Sequence, residues 1–415
     1  LILKVPVGMQ RRSIVEAQAR INIWVGAVRS GKTIAAIIRW LDFIARGPQG
    51  DLMMVGKTER TLKRTTLDPI AEIIGDDQCR VNWGMGEARI LGRRVYLLGA
   101  NDQRAEEKLR GVTLAGAYGD EMTTWFENFF GMLLSRLSLP GAKFFGTTNP
   151  DTPSHWLKRD WLDRAHELSL MHFRFTIDDN PNLDASSVAD LKKEYVGIWY
   201  QRYILGHWIE AAGRIYDTWV EEKFVVPEVP PLFRRWLGID FGRYNPFVAQ
   251  LQGLAEDGRV HVAAEFRYDG RQQKRQKAEP EYVKDLIQWL TSLGMQARDE
   301  TWPEWWFVDP SAVSFMTELY RSEISGVTPA DNDVQKGLQL VASALATDRL
   351  RVHASCKGLR DEFPTYSWDP KAANRGLEQP LKKDDHSVDA LRYGLMGSRF
   401  IWQQSELLPV GQRPA

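Results

Sequence analysis

Through residues 1–180, short apolar runs alternate with stretches of helical period. Ile21–Val25, Leu52–Val55, Val95–Leu98, Leu114–Tyr118 and Lys143–Gly146 each read as a strand that is apolar on both faces. Strands of that kind are buried under helices on either side, which predicts a mostly parallel sheet. Between residues 178 and 231 the pattern breaks. DDNPNLD is turn chemistry, a short helical stretch carries Trp199 and Tyr200, and VVPEVPPLF is a proline-rich connector. A new series begins at Arg234: strand WLGIDFG, a hairpin of Phe247–Leu254 and Val260–Arg267, a helix near Glu281–Leu293, strand WWFVDP and further helices. A hairpin followed by alternating strands and helices predicts a mixed sheet with helices on its faces. The expected division is residues 1–180, a connector or lid over 181–232, a second domain over 233–402 and a tail over 403–415. No internal repeat or low-complexity tract interrupts this plan.

The first strand runs directly into Gly26-Ala27-Val28-Arg29-Ser30-Gly31-Lys32-Thr33, a complete GxxxxGK[ST] motif, and then into the helical run IAAIIRWLDFIA. Glycines let backbone N–H groups curl around phosphates, and the helix N-terminus adds unpaired donors. Lys32 supplies the opposing charge, and the Thr33 hydroxyl suits Mg²⁺. Strand LAGAY ends in Gly119-Asp120-Glu121. Asp120 is the candidate for holding Mg²⁺ through water, and Glu121 for orienting and deprotonating an attacking water. The next strand ends in Thr147-Thr148-Asn149-Pro150, small polar groups at the strand edge that faces a γ-phosphate. Arg110 precedes the acidic strand in a predicted loop. An arginine offered to a neighbour's γ-phosphate stabilises transition-state charge; Arg110 is one candidate and Arg29 the other.

In the second half, Asp240 and Asp309 each end a strand. Asp384-Asp385-His386-Ser387-Val388-Asp389 opens a helix, with Asp385 and Asp389 four residues apart on one face. Each acid alone is ordinary, and the last cluster would serve equally as a helix N-cap. Gathered together they would repel unless divalent cations held them, and two Mg²⁺ or Mn²⁺ ions so bound can activate water against a phosphodiester. Glu265 and Asp269 are spare candidates. Residues 267–277 (RYDGRQQKRQK) offer cations and amides suited to DNA phosphates. Trp302, Trp305 and Trp306 are expected in the core.

Composition narrows the classes. The 415 residues suffice for two cores, and 54 basic residues cancel 54 acidic ones, so any nucleic-acid contact rests on local patches and not on bulk charge. Cys79 and Cys356 form no CxxC pair, which argues against zinc and a disulfide framework and favours a reducing setting. No apolar run is long enough for a membrane span, and the opening LILKVPVGMQRRS lacks a signal-peptide core. A soluble protein is expected, and the initial Leu1 suggests residues upstream.

In order, GAVRSGKT, LAGAYGDE, GTTNP, GIDFG, FVDPSA and DDHSVDALRYG resemble the large terminase subunit of tailed bacteriophages, over nearly the whole chain. A phosphate loop alone would fit many ATPases; six motifs of two kinds in that order are specific. The resemblance implies an α/β protein: an N-terminal ASCE P-loop ATPase with a mostly parallel sheet and a C-terminal ribonuclease H-like nuclease with a mixed sheet. It implies ATP and Mg²⁺ at Lys32, Thr33, Asp120 and Glu121, a coupling motif at Thr147–Asn149, and an arginine finger donated in trans at Arg110. It further implies nuclease metal ligands at Asp240, Asp309 and Asp389, with Asp385 and His386 as additional or alternative ligands. Expected partners are double-stranded DNA, a small terminase subunit, a portal protein and further copies in a ring, in the host cytoplasm. Gln10 and Gln18 are weaker candidates for adenine contact. Two other readings stand beside this one: a helicase or remodelling ATPase whose second half binds nucleic acid without cutting, and a nucleotide-gated assembly subunit without turnover.

Overall fold

The computed structural model describes residues 5–100, 103–242, 245–297, 299–373 and 377–404. The chain forms two compact units, the first mainly from residues up to 211 and the second mainly from 212 onward. The expected connector, 181–232, is divided between them. Its aromatic helix Gly197–Tyr203 belongs to the first unit. The proline-rich part belongs to the second, because Val225–Val226 pairs with a strand there and Trp219 stacks on Phe363 at 4.3 Å. The expected tail lies outside the described residues from position 405.

Among the described residues the first unit holds eight strands: β1 (Ile21–Gly26), β2 (Asp51–Gly56), β3 (Cys79–Asn82), β4 (Glu87–Ile90), β5 (Arg93–Gly99), β6 (Leu114–Gly119), β7 (Lys143–Thr148) and β8 (Leu170–Phe175). Their order is β3-β4-β5-β2-β6-β7-β1-β8, parallel from β5 to β8 with an antiparallel β3–β4–β5 edge. All five strands read from the apolar runs are present. β8 and the β3–β4 pair were not anticipated, and their sequences explain why: LMHFRF, CRVN and EARI carry charged or polar side chains at an edge, where one face meets water. The central strands β2, β6, β7 and β1 are buried on both faces. Ile21, Ile23 and Val25 of β1 pack into one apolar cluster, and Trp24 packs into the other with Trp40 and Phe145.

The second unit holds β9 (Val225–Val226), β10 (Leu232–Asp240), β11 (Phe247–Ala255), β12 (Val260–Tyr268), β13 (Trp305–Val308), β14 (Val327–Pro329) and β15 (Leu350–His353). The order is β14-β13-β10-β11-β12-β15-β9; β10, β11 and β12 are antiparallel, and β13, β14, β15 and β9 join in parallel. The alternation in β11 shows what each face meets. Phe247, Ala249 and Leu251 pack with Tyr282, Leu286 and Phe315. The intervening Gln250 and Gln252 lie under the helix His386–Gly397, whose Ser387 and Ala390 carbonyls accept from their side-chain amides at 2.9 and 3.3 Å. A buried polar seam of this kind fixes the helix's register on the sheet, because a shift would leave amide groups unpaired. Trp302 and Trp306 are core residues, as expected; Trp305 is half-buried with the Arg234 guanidinium 5.0 Å over its ring.

Candidate functional site

Two cavities gather the candidate residues, one in each unit. In the first unit, β1 ends at Gly26 and the next helix begins at Lys32, leaving a tight loop between them. Packing alone requires a glycine at position 26, since a Cβ there would lie 2.1 Å from the Phe175 carbonyl oxygen. Gly31 caps the helix at φ 80°, a left-handed conformation that favours glycine, and the Gln10 amide donates to its carbonyl at 3.1 Å. That contact gives Gln10 a structural place under the loop. The Arg29 side chain is exposed, its φ is 52°, and its carbonyl accepts from Asn180. Ser30 Oγ is buried with no hydrogen-bond partner among the described residues, an unsatisfied donor inside the loop.

A cavity of about 270 Å³ opens beside the loop, lined by Lys32, Thr33, Thr65, Asp120, Glu121, Thr147, Thr148 and Asn149 among others. Strand ends deliver most of these: β6 ends before Asp120, and β7 ends at Thr148. The Lys32 ammonium donates to the Ala27 carbonyl (2.9 Å) and to Asn149 Oδ1 (2.7 Å), which leaves one of its three protons for a ligand. Burial lowers its pKa from 10.5 to about 8, against the attraction of Asp120 and Glu121. Asp120 accepts from Thr147 on one oxygen and from Thr65 on the other, both at 2.6 Å. Glu121 sits at φ 52° and its pKa is raised, first by burial and then by Asp120, while Lys57, Lys32 and Arg64 oppose the shift. A carboxylate biased toward its protonated form is a competent proton acceptor. Thr148 Oγ1 accepts from the Thr123 amide at 3.1 Å and so ties the end of β7 to the turn that follows Glu121. Arg110 is exposed and, like Arg29, does not line the cavity. Thr65 was not anticipated; a threonine in a helix carries no signal until its neighbour is known.

In the second unit a cavity of about 630 Å³ is lined by Asp240, Asp309, Asp385, His386 and Asp389, so residues from three remote segments meet. Asp240 ends β10, Asp309 directly follows β13, and the rest open the helix His386–Gly397. Burial pushes Asp240 up to about 6; the hydrogen bond from His386 resists, and Asp389 and Asp309 push it further. His386 Nδ1 lies 2.9 Å from Asp240 Oδ2. Burial alone would lower this imidazole's pKa, but Asp240, Asp385 and Glu362 raise it. Asp389 is also raised, by burial above all, although the Arg392 guanidinium donates to its Oδ1 at 3.1 and 3.2 Å. Asp309 Oδ1 accepts from the Ser311 amide, and Lys382 lies 3.5 Å from Asp385. Among the described residues, no three His, Cys, Asp or Glu side chains stand in a closed metal cage. The donor set nonetheless fits a hard divalent cation: clustered oxygen ligands, with Asp240 and Asp389 both biased toward protonation, held in check by Arg392, Lys382 and His386.

Glu362 is a second residue that sequence reading missed. Its Oε2 accepts from the Ser387 and Val388 amides (2.7 and 3.0 Å), and its Oε1 accepts from Arg267 (2.7 Å). Burial raises it to about 7 despite Arg267. It thereby caps the helix that carries Asp389. The basic run 267–277 serves partly in internal pairs, Arg275 with Glu281 and Lys277 with Asp285, while Arg271 and Gln272 line the cavity.

The first unit is thus a P-loop ATPase fold of the ASCE type. The second, with an antiparallel β10–β11–β12 start and parallel β13 and β14 on its other side, is ribonuclease H-like. Residues 23–221 match the family profile of the large terminase subunit, T4-like-virus type, N-terminal part. The large terminase of a thermophilic bacteriophage is 32% identical, with a TM-score of 0.83 over 94% of this chain and 98% of that one. The same phage protein in complex with ADP matches at 32% identity and TM-score 0.83 over 95% and 99%, and its complex with ATP-γ-S at 32% and 0.80 over 93% and 97%. Comparison with curated proteins gives no match. The chain belongs to the family of phage large terminase subunits.

Proposed function

We propose that this chain packages viral DNA: the first unit hydrolyses ATP to drive translocation of double-stranded DNA into a procapsid, and the second cleaves the concatemer with the help of divalent metal. The observation that carries the reading is the convergence of Asp240, Asp309, Asp385, His386 and Asp389 on one cavity, in a chain whose other unit gathers Lys32, Asp120, Glu121 and Asn149 around a phosphate loop. In the first unit Lys32 neutralises the β- and γ-phosphate oxygens, and the Ser30 hydroxyl and loop amides donate to them. Thr33 and Asp120 hold Mg²⁺, Glu121 takes the proton of the attacking water, and Thr148 and Asn149 relay the change at the γ-phosphate. The exposed Arg110 is offered to a neighbouring copy in a ring, with Arg29 as the competing donor. In the second unit Asp240, Asp309 and Asp389 hold Mg²⁺ or Mn²⁺, with Asp385 and His386 as further ligands. A metal bound there would supply Lewis-acid chemistry, a lowered pKa for water and charge stabilisation at the 3′ oxygen. Arg271, Gln272 and Lys383 contact DNA phosphates. A small terminase subunit and a portal protein are the further partners, and the host cytoplasm is the setting.

Separate knockouts test this. Asp240→Ala abolishes metal-dependent DNA cleavage and leaves ATP hydrolysis intact, whereas Glu121→Gln does the reverse. A wild-type chain that hydrolyses ATP but never cuts DNA with Mg²⁺ or Mn²⁺ would support the helicase-like alternative instead.

A further inference from the structure

Downstream of β2, the helical turn Glu59–Leu62 passes through a π turn, Lys63–Leu67, into the helix Asp68–Ile74. A π turn holds an extra residue and has weaker hydrogen bonds than the α-helix around it, so it persists where something else compensates. Here the compensation is at the phosphate cavity, which Thr65 lines from the middle of the turn. Thr65 Oγ1 lies 2.6 Å from Asp120 Oδ2 and 2.9 Å from the Thr61 carbonyl. A hydroxyl carries one proton and serves one acceptor at a time. The shorter bond and the charged acceptor select Asp120. On the opposite side, Thr147 Oγ1 donates to Asp120 Oδ1, also at 2.6 Å. Asp120 is therefore gripped by two hydroxyls, one from the sheet and one from the π turn, and is only 5% exposed. Both oxygens are fixed, so the carboxylate cannot turn about its Cβ–Cγ bond, and its free lone pairs keep one orientation.

We propose that Thr65 is a positioning residue of the phosphate site, which holds Asp120 so that its remaining lone pairs meet the water shell of the nucleotide's divalent cation. This rests on the reading of the first unit as an ATPase.

The test uses the full chain with Thr65→Val, which keeps the shape and removes the hydroxyl, and Thr65→Ser, which keeps the hydroxyl. ADP binding is measured calorimetrically in EDTA and across a Mg²⁺ titration, together with kcat and KM for ATP. In Thr65→Val the half-saturating Mg²⁺ rises and kcat falls, each by about tenfold, the scale of one lost hydrogen bond to a charged group. ADP affinity in EDTA and KM stay at wild-type values, and Thr65→Ser restores both altered quantities. An unchanged Mg²⁺ dependence in Thr65→Val overturns the proposal, as does a loss of EDTA affinity that Thr65→Ser does not rescue, which marks a merely structural role. A wild-type chain that binds no nucleotide overturns both this proposal and the ATPase reading; normal binding with an indifferent Thr65→Val overturns this proposal alone.

Discussion

Gly238 offers the sharpest test of how the second site is assembled. It lies on β10 directly beneath the helix His386–Gly397, where an added Cβ would stand 2.1 Å from the Ala390 carbonyl oxygen and 2.9 Å from the Gly394 amide nitrogen. Ordinary contact begins at 3.4 Å, so the helix must retreat by 1.3 Å, the difference between 3.4 and 2.1 Å. The obstacle is backbone and cannot rotate away, which places Gly238→Ala at the upper end of overpacking costs, about 3 kcal/mol. The helix also carries Asp389, and Asp240 ends the strand it would leave. A shift of roughly 1 Å between reacting groups costs about a hundredfold in rate. Gly238→Ala should therefore lower the urea midpoint of the second unit's transition and reduce Mn²⁺-dependent cleavage of plasmid DNA about a hundredfold, with ATP hydrolysis retained. Wild-type midpoint and wild-type cleavage in this variant would refute the claim that close approach of helix and sheet sets the carboxylate spacing.

Two further outcomes follow from named contacts. Burial holds Lys32 near 8, and bound phosphates raise it; below pH 8 the ammonium is already charged, while above pH 8 binding must take up a proton. ATP-γ-S affinity should be flat up to pH 8 and then fall by at most about tenfold per pH unit, with proton uptake visible in calorimetry across buffers of different ionisation enthalpy; a flat profile to pH 10 counts against it. Glu362→Ala leaves two helix amides without their acceptor and takes the carboxylate from the Arg267 guanidinium, which still donates to Ser387 Oγ. It should destabilise the second unit by about 2–3 kcal/mol in urea unfolding, and a change under 0.5 kcal/mol, the range of an ordinary surface substitution at about ±0.5, would show that the cap is dispensable.

The sequence carried the two folds through their apolar periodicity and the phosphate loop through its motif, because both signals are local. Asp240 and Asp309 were readable as acids at strand ends, and the Asp385–Asp389 spacing already put both on one helical face. What stayed hidden depends on tertiary neighbours. Thr65 gains meaning only from the π turn that carries it to Asp120, and Glu362 only from the helix end it caps, 25 residues further along the chain. The basic run 267–277 looked uniform in sequence, yet the fold commits Arg275 and Lys277 to Glu281 and Asp285 and turns Arg271 toward the cavity. The division of the connector likewise rests on the two-residue strand β9, too short for any periodicity to show.

The most direct measurement is anomalous diffraction from a crystal of this chain soaked in Mn²⁺. Peaks should appear between Asp240, Asp309 and Asp389, two of them about 3.5–4 Å apart, with Arg392 and Lys382 displaced from the carboxylates they now touch. Manganese bound only on the outer surface, with the Asp240–His386 and Asp389–Arg392 contacts unchanged, would contradict a metal-dependent cutting centre in the second unit.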